Sequence, residues 1–596
     1  MAIYTLDVET YRNYFLVLFK EVGSQNTHCF ELYDGVSLDQ PALSDLMRNN
    51  TTVSFNGNHY DLYMIEAALQ GRDNSDLKDL SDEIITSGKP GWMVAKAWDV
   101  EQPRSPYGSL LWNHVDLIDV APGKASLKIY GGRLNAPKLQ DLPIEPDAII
   151  SPEQREELRT YCLNDLETTE LLYNALEKEI KLRIDMSKQY RVDLRSKGGA
   201  QVASAVLRTE LQNSGVTVRK PRSRVGDTFK YRDPGFIEFK SDIFKAAFDR
   251  VKEATFRVGQ NGQVVLPETL DSAIRFEGGS YKFGIGGIHS QEKKQNVIAD
   301  NDHILAERDV ASMYPNIILG QGMYPDGLGA TFLDVYSGIV ARRLKAKAEG
   351  DKSTSDSLKL VINSSFGLFG SKYSFLYSPE LMIQVTITGQ LCLLMLIERT
   401  VAAGAKVVSA NTDGVVSLCH KDKYAALDEA CFDWELQTGL ELEETRYSGL
   451  YSRDVNSYVA IKGDGSVKGK GAFAAPNLMK NPQFPIVTDA VYAYLGSGTP
   501  IEETINACDD TTKFLMVRSV TGGAKFGEEY LGKAVRFYYT TELSMDGCIR
   551  YAKNDNKVPM SDGAKPLMQL PNKMPTDVDR QMYVRMANDC LKDFGL

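Results

Sequence analysis

Carboxylates dominate the residues of this 596-residue chain whose type and spacing can do chemistry. Asp7 and Glu9 stand two apart at the end of a run rich in Val, Ile, Tyr and Leu (residues 2–8). A strand puts both on one face, where they can share a hard cation such as Mg2+ or Mn2+. Alone, an acid pair of this kind is ordinary surface charge. Two further segments change the reading. Asp61 ends Asn56-Gly-Asn-His-Tyr-Asp61, after the strand-like run 51–55 and at the start of a helical pattern over 60–69. Asp165 lies one helical turn after Tyr161 in a pattern running from Pro152 to Leu176, so phenol and carboxylate share a face. Four acids and a tyrosine are what two-metal phosphodiester hydrolysis requires: bridged phosphate, metal-generated hydroxide and an oriented water.

A second set begins at Asp309-Val-Ala-Ser-Met-Tyr-Pro, an acid at a strand end followed by a helix whose first free N–H groups can receive phosphates. Lys359, Asn363 and Phe366 or Gly367 then fall on one helix face, offering a cation, an amide and a flat ring. Asp413 sits in the Asn411–Gly414 turn between two apolar runs, 407–410 and 415–418. Each piece alone has an ordinary reading as a helix start, an amphipathic helix or a hairpin turn. Their joint occurrence, in this order, does not.

Taken together, the two sets resemble the exonuclease motifs and the A, B and C motifs of family B DNA polymerases, of the short phage type. Asp7–Glu9, Asn56–Asp61 and Tyr161–Asp165 match the former, and Leu134-Asn-Ala-Pro-Lys138 more loosely matches a segment carrying a lysine that assists digestion. The resemblance implies an exonuclease metal set of Asp7, Glu9, Asp61 and Asp165, with Tyr161 and Lys138 assisting. It implies a polymerase set of Asp309, Asp413 and the Val310 carbonyl, two Mg2+ (or Mn2+) per site, and a catalytic Lys359. Ser312, Met313, Tyr314, Arg342 or Arg343, Lys359 and Asn363 are the nucleotide-binding group it implies, with Tyr314 as the wall against a 2′-hydroxyl. Only one of the two adjacent arginines can face the nucleotide, because neighbours on a helix diverge by about 100°. Tyr458, Lys468 and Lys470 resemble the segment that holds the primer end. Asn411, Phe366 and Gly414 depart from the usual Asp, Tyr and Ser, which puts metal affinity or primer geometry in question, not the reaction class.

The implied fold is multidomain α/β and α+β. A ribonuclease H-like exonuclease domain spans 1–180 and a linker or accessory segment 181–277. A right-hand polymerase follows, with an antiparallel-sheet palm (278–334 and 371–478), helical-hairpin fingers (335–370) and a mixed thumb (479–596). From Asp309 to Asn363 is 54 residues and from Asn363 to Asp413 is 50, consumed by a helical hairpin and one long helix. Protein-primed phage polymerases carry insertions in both gaps, and here neither leaves room. Extension of nucleic-acid primers, low processivity and weak strand displacement are therefore expected. So is the lack of the N-terminal domain of larger family members.

Composition sets the class. With 43% hydrophobic and 25% charged residues the chain is globular, not disordered or collagen-like. A net charge of −11 argues against a polybasic nucleic-acid binder but permits a local basic groove. One basic run, 216–232, holds six cations against one acid and reads equally as solvated linker or phosphate contact. Gly278–Gly287 reads as a joint. In the thumb, aromatic runs such as Val535–Tyr539 read equally as duplex contacts or packed core. Eight cysteines without a CxxC pair disfavour zinc and iron–sulfur clusters. They fit a cytoplasmic protein, in the host's cytoplasm if phage-encoded. The apolar stretch near Leu391–Ile397 reads as too short to span a membrane. Expected partners are primer–template DNA and dNTPs for a monomer, with single-strand-binding protein, primase–helicase or processivity factor as accessories. Two rival readings stand beside this one: an enzyme whose exonuclease dominates because Asn411 cripples synthesis, and a non-catalytic DNA-binding scaffold. A family A polymerase is disfavoured by the lack of its later motif.

Overall fold

In the computed structural model, which describes residues 2–100, 112–542 and 547–596, the chain begins as the meander its sequence implies. Strands β1 (Ile3–Tyr11), β2 (Tyr14–Glu21) and β3 (Thr27–Tyr33) pair antiparallel. β4 (Thr51–Ser54) runs parallel to β1, and β5 (Asn113–Asp116) parallel to β4, giving the order 3-2-1-4-5. Helices α1 (Asp61–Leu69), α2 (Leu127–Arg133) and α3 (Pro152–Ala175) follow in sequence. Helices cover both faces of β2, which explains its nearly continuous apolar run. Leu62 and Ile65 of α1 join Leu6, Val8, Phe15 and Val17 on one side. Leu158, Cys162 and Leu166 of α3 join Tyr14, Leu16 and Leu18 on the other. α3 starts sharply because Ser151 and Gln154 form a reciprocal capping box with Pro152 at the first helical position.

Met1–Gly198, Ala475–Ile486 and Cys508–Tyr583 form one compact unit; Gly199–Ala474, Val487–Ala507 and Val584–Leu596 form another. The stretch read from sequence as one thumb is thus shared between them.

The second unit is built on a ten-stranded sheet. Helix α4 (Gly199–Asn213) precedes it. At its middle lies β6 (His303–Val310), followed by α5 (Met313–Gly320), α6 (Thr331–Ala348), α7 (Lys352–Leu368) and α8 (Pro379–Ala402). β7 (Lys406–Asn411) and β8 (Gly414–His420) form a hairpin, and β8 pairs antiparallel with β6. After α9 (Lys421–Thr438), β9 (Leu442–Asp454) pairs with the other edge of β6, and β10 (Ser457–Lys462) and β11 (Val467–Gly469) extend the sheet. α6 and α7 make the antiparallel hairpin expected, with Asp351 capping α7 through the Thr354 N–H at 3.1 Å. α4 packs across both.

Two expectations change, and the linker or accessory segment gains detail. Residues 199–277 are structured: besides α4 they hold a helix (Asp242–Glu253) and a three-stranded sheet in which Phe229 stacks on Phe256. In the basic run, Arg224 pairs with Asp227, and Arg232 with Glu380, while Arg219, Lys220 and Lys230 are exposed. Gly278–Gly287 is not a joint: Gly279–Lys282 is a strand of the large sheet. α8 is, by length and composition, long enough to cross a membrane, but 83% of its apolar window is buried. It is a core helix, tied to α9 by the Trp434 Nε1–H donating to the Cys392 carbonyl at 2.8 Å.

Back in the first unit, β12 (Met516–Phe526) and β13 (Glu529–Tyr539) form a long hairpin. Phe537, Tyr538 and Tyr539 are buried, so these aromatics are core. α2 lies against this hairpin: Ile129 clusters with Val517 and Ala534. A Cβ at Gly132 would stand 2.6 Å from Val517 Cγ1. Arg536, wholly buried, donates to the carbonyls of Ala136, Pro137, Leu567 and Met568.

Candidate active sites

In the second unit, strand pairing joins segments a hundred residues apart. Asp309 lies directly across from Gly414, and the Val310 N–H donates to the Asp413 carbonyl at 2.7 Å. Asp309, Asp413, Glu307, Asn411, Tyr458 and Lys470 line one small cleft. Glu307 shares the face of Asp309 because residues two apart on a strand do. Burial first, then the charges of Asp413 and Glu307, push Asp309 up to about 6, with Lys470 and Lys468 opposing. Asp413 is raised too, chiefly by burial, and Lys470 again opposes. Two carboxylates held above their ordinary range mark a site short of positive charge. Hard oxygen donors with that deficit suit a divalent cation such as Mg2+, so Asp309, Asp413 and the Val310 carbonyl fit the ion the resemblance implies.

The motif departures have local reasons. A Cβ at Gly414 would lie 2.9 Å from Asp309 Oδ1, so glycine lets the carboxylate rest against the hairpin. Asn411 uses its amide to brace the turn, donating Nδ2–H to the Val455 carbonyl at 3.4 Å and accepting from Thr412 Oγ1 at 3.0 Å. An aspartate could not donate the first of these.

The other residues singled out by sequence are placed as follows. Ser312 takes a left-handed conformation (φ 48°) to open α5. Met313 turns its side chain into the core, where a Cβ at Gly389 would come within 2.9 Å of its Cε. Tyr314 stacks on Phe366, ring centroids 4.4 Å apart, and its hydroxyl donates to the Gly286 carbonyl at 2.5 Å. Arg342 pairs with Glu210 of α4 at 2.6 Å, whereas Arg343 reaches toward Ser312 Oγ at 3.5 Å. The buried Nε of Arg343 has no hydrogen-bond partner among the described residues. Of the adjacent arginines, then, it is Arg343 that turns toward the start of α5. Lys359 and Asn363 are exposed on α7. Lys468 lies 3.7 Å from Glu307, and Lys470 donates its backbone N–H to the Tyr458 carbonyl.

In the first unit a second acidic cluster forms where β1 faces α3. Asp7 is pushed up to about 7 by burial and then by Asp165. Glu9 is raised by burial, then by Asp7 and Asp165. Asp61 is raised by burial, then by Asp7 and Asp116. Mutual repulsion among these groups requires that they share one neighbourhood. Tyr161 is likewise held protonated by burial and the adjacent carboxylates. Lys128 of α2 reaches these acids, its Nζ bonding Asp165 and Tyr161 Oη. Among the described residues it is one lysine against four acids, a set of hard oxygen donors that suits divalent ions. Cys162, its thiol pushed up by burial, donates to Asp7 Oδ2 at 3.6 Å. Asp61 is aimed by a left-handed Asn56 (φ 77°) and a short 3-10 turn. Asp116 holds that turn by accepting from the Asn56 and Asn58 N–H groups at 2.8 and 2.9 Å.

Among the described residues, Lys138 makes no hydrogen bond or ion pair with this cluster. Its backbone bridges Gln569, and the flanking Leu139 N–H donates to the Met568 carbonyl at 2.8 Å. Lys128, Asp116 and Glu307 were missed by sequence reasoning. For Glu307 a signal existed, its two-residue spacing from Asp309. For Lys128 none did, because its placement depends on how α2 packs.

No protein-family model matches the chain, and no curated protein matches it. Among solved structures it is similar to one described as the family B DNA polymerase from the hyperthermophilic archaeon Pyrobaculum calidifontis. That alignment covers 100% of this chain and 78% of the other, at 14% identity and a TM-score of 0.44. So remote a likeness says nothing of which side chains act.

Proposed function

We propose that this chain is a DNA-directed DNA polymerase of family B type that also digests DNA from the 3′ end. The observation that carries the reading is the meeting of Asp309 and Asp413 in one charge-deficient cleft, flanked by Tyr314 on Phe366 and by Arg343. Asp309, Asp413 and the Val310 carbonyl hold divalent cations. Bound there, Mg2+ or Mn2+ would acidify the primer 3′-hydroxyl and neutralise the departing pyrophosphate. Lys359 and Arg343 receive the triphosphate and offset charge developing on it. Tyr314 forms the wall beneath the sugar, and Tyr458, Lys468 and Lys470 hold the primer end. In the other cluster Asp7, Glu9, Asp61 and Asp165 hold the ions for hydrolysis, and Tyr161, braced by Lys128, orients the water.

Residue spans support the finer reading, a short phage-type enzyme that extends nucleic-acid primers. α5, α6 and the first part of α7 take up most of the chain between Asp309 and Asn363, and the end of α7, the 24-residue α8 and β7 most of that between Asn363 and Asp413. Primer extension and 3′ digestion, each measured with Mg2+, test the reading. Asp309→Ala or Asp413→Ala should abolish extension and spare digestion, and Asp7→Ala with Glu9→Ala should do the reverse. Extension by Asp413→Ala equal to that of the parent chain would sink it.

A further inference from the structure

Gln390 is a wholly buried amide on α8, on a turn where Thr388 is the other buried polar side chain and the rest are apolar or glycine. A buried amide is costly unless satisfied, and its partner is a single glycine. The Gly284 N–H donates to Gln390 Oε1 at 3.1 Å, and Gln390 Nε2 donates to the Gly284 carbonyl at 2.8 Å. The loop so clamped is tightly closed, since a Cβ at Gly284 would stand 2.7 Å from the Gly287 carbonyl. Its next residues touch both sides of the proposed polymerase cleft. Gly286 accepts the Tyr314 hydroxyl at 2.5 Å, and Ile288 accepts the Thr412 N–H at 2.8 Å, one residue from Asp413. The neighbour of Gln390 on α8, Gly389, lets Met313 pack within contact of the helix. Adjacent residues of one core helix thus fix the loop that receives the Tyr314 hydroxyl and the helix that carries Tyr314.

The Tyr314 ring is held twice, on its face by Phe366 and at its hydroxyl by Gly286. A wall excludes an extra hydroxyl only if it cannot tilt away; a side chain that yields by an ångström admits the larger sugar at little cost. We propose that Gln390 is a positioning residue for sugar selection: by clamping Gly284 it fixes the Gly286 carbonyl, which holds Tyr314 upright against a ribonucleotide. This rests on the reading of the cleft as a nucleotide site.

The test is single-nucleotide insertion by the full chain on one primer–template, with a dNTP and with the matching rNTP, compared as kcat/KM ratios. Gln390→Met keeps length and loses both hydrogen bonds; Tyr314→Phe keeps the ring and loses the hydroxyl. Each should lower dNTP-over-rNTP selectivity roughly three- to tenfold, the range of one lost hydrogen bond, mainly by speeding rNTP insertion. The double variant should fall no further than the worse single, because both act through one contact. A purely structural role would slow both nucleotides alike. Unchanged selectivity in a Gln390→Met chain that inserts dNTP normally would overturn the inference, as would multiplying effects in the double variant. If Gln390→Met does not fold, unchanged selectivity in Tyr314→Phe alone overturns it. A parent chain that inserts no nucleotide would instead overturn the polymerase reading, and this inference with it.

Discussion

At the scale of single residues, small side chains matter as much as charged ones. Gly414 stands where a Cβ would press on Asp309 Oδ1. Gly414→Ala should therefore displace that carboxylate and cut the extension rate roughly 100-fold, the usual cost of an ångström's misplacement at a reacting centre. Digestion rates measured on the same preparation should not change. His114 offers a different readout. It is buried between Thr52 Oγ1 and Ser54 Oγ, at 2.8 and 3.0 Å, and burial pushes it from 6.5 to about 3. Folded, it binds fewer protons than unfolded between those values, so its contribution is fully present above pH 6.5 and is lost as pH falls toward 3. His114→Gln should flatten the acid limb of stability over that window in urea melts recorded from pH 7 to pH 4. An unaltered limb would show that the imidazole is not held neutral.

Among elements, the short helix α2 is the most dependent on its surroundings. Seven residues cannot hold a helix alone, and this one is fixed by Ile129 and Gly132 against β12 and β13. It carries Lys128, the cation of the first unit's acidic cluster. Residues near the C-terminus thereby set the position of a charge amid acids from the N-terminus. Gly132→Val should lever α2 off the hairpin and slow 3′ digestion at least tenfold while primer extension continues, and Val517→Ala in the same chain should restore much of the loss. Failure of that rescue would mean that the glycine matters for another reason.

For the molecule as a whole, the acidic balance and the chain's economy bear on the proposed activity. With a net charge of −11, that reading requires phosphate contact to be confined to local cationic groups such as Lys468, Lys470, Arg343 and Lys359. Between Asp309 and Asp413 the chain is taken up by α6, α7 and α8, with α8 buried as core. On the proposed reading, those helices leave little chain there for a subdomain that would grip a displaced strand. On a gapped circular template, synthesis should fill the gap and stall at the downstream 5′ end, as read on a denaturing gel; continued synthesis through several hundred base pairs of duplex would contradict this.

Much of this was legible in the sequence because it is local. The two-residue period places Asp7 with Glu9, the helical turn joins Tyr161 to Asp165, and the Asn411–Gly414 turn announces its hairpin, all fixed by backbone geometry over a few residues. The α6–α7 hairpin follows from periodicity and a polar turn in the same way. What lay between distant segments was not legible. That Asp309 faces Gly414 depends on strand register, that Lys128 reaches the acids depends on how α2 packs, and the joint read at Gly278–Gly287 is a sheet strand leading into a loop clamped at Gly284 by Gln390. Residue type and spacing determined which chemistry this chain can do; only tertiary packing decided which groups stand close enough to do it, because charge, burial and hydrogen bonding act through space and not along the chain.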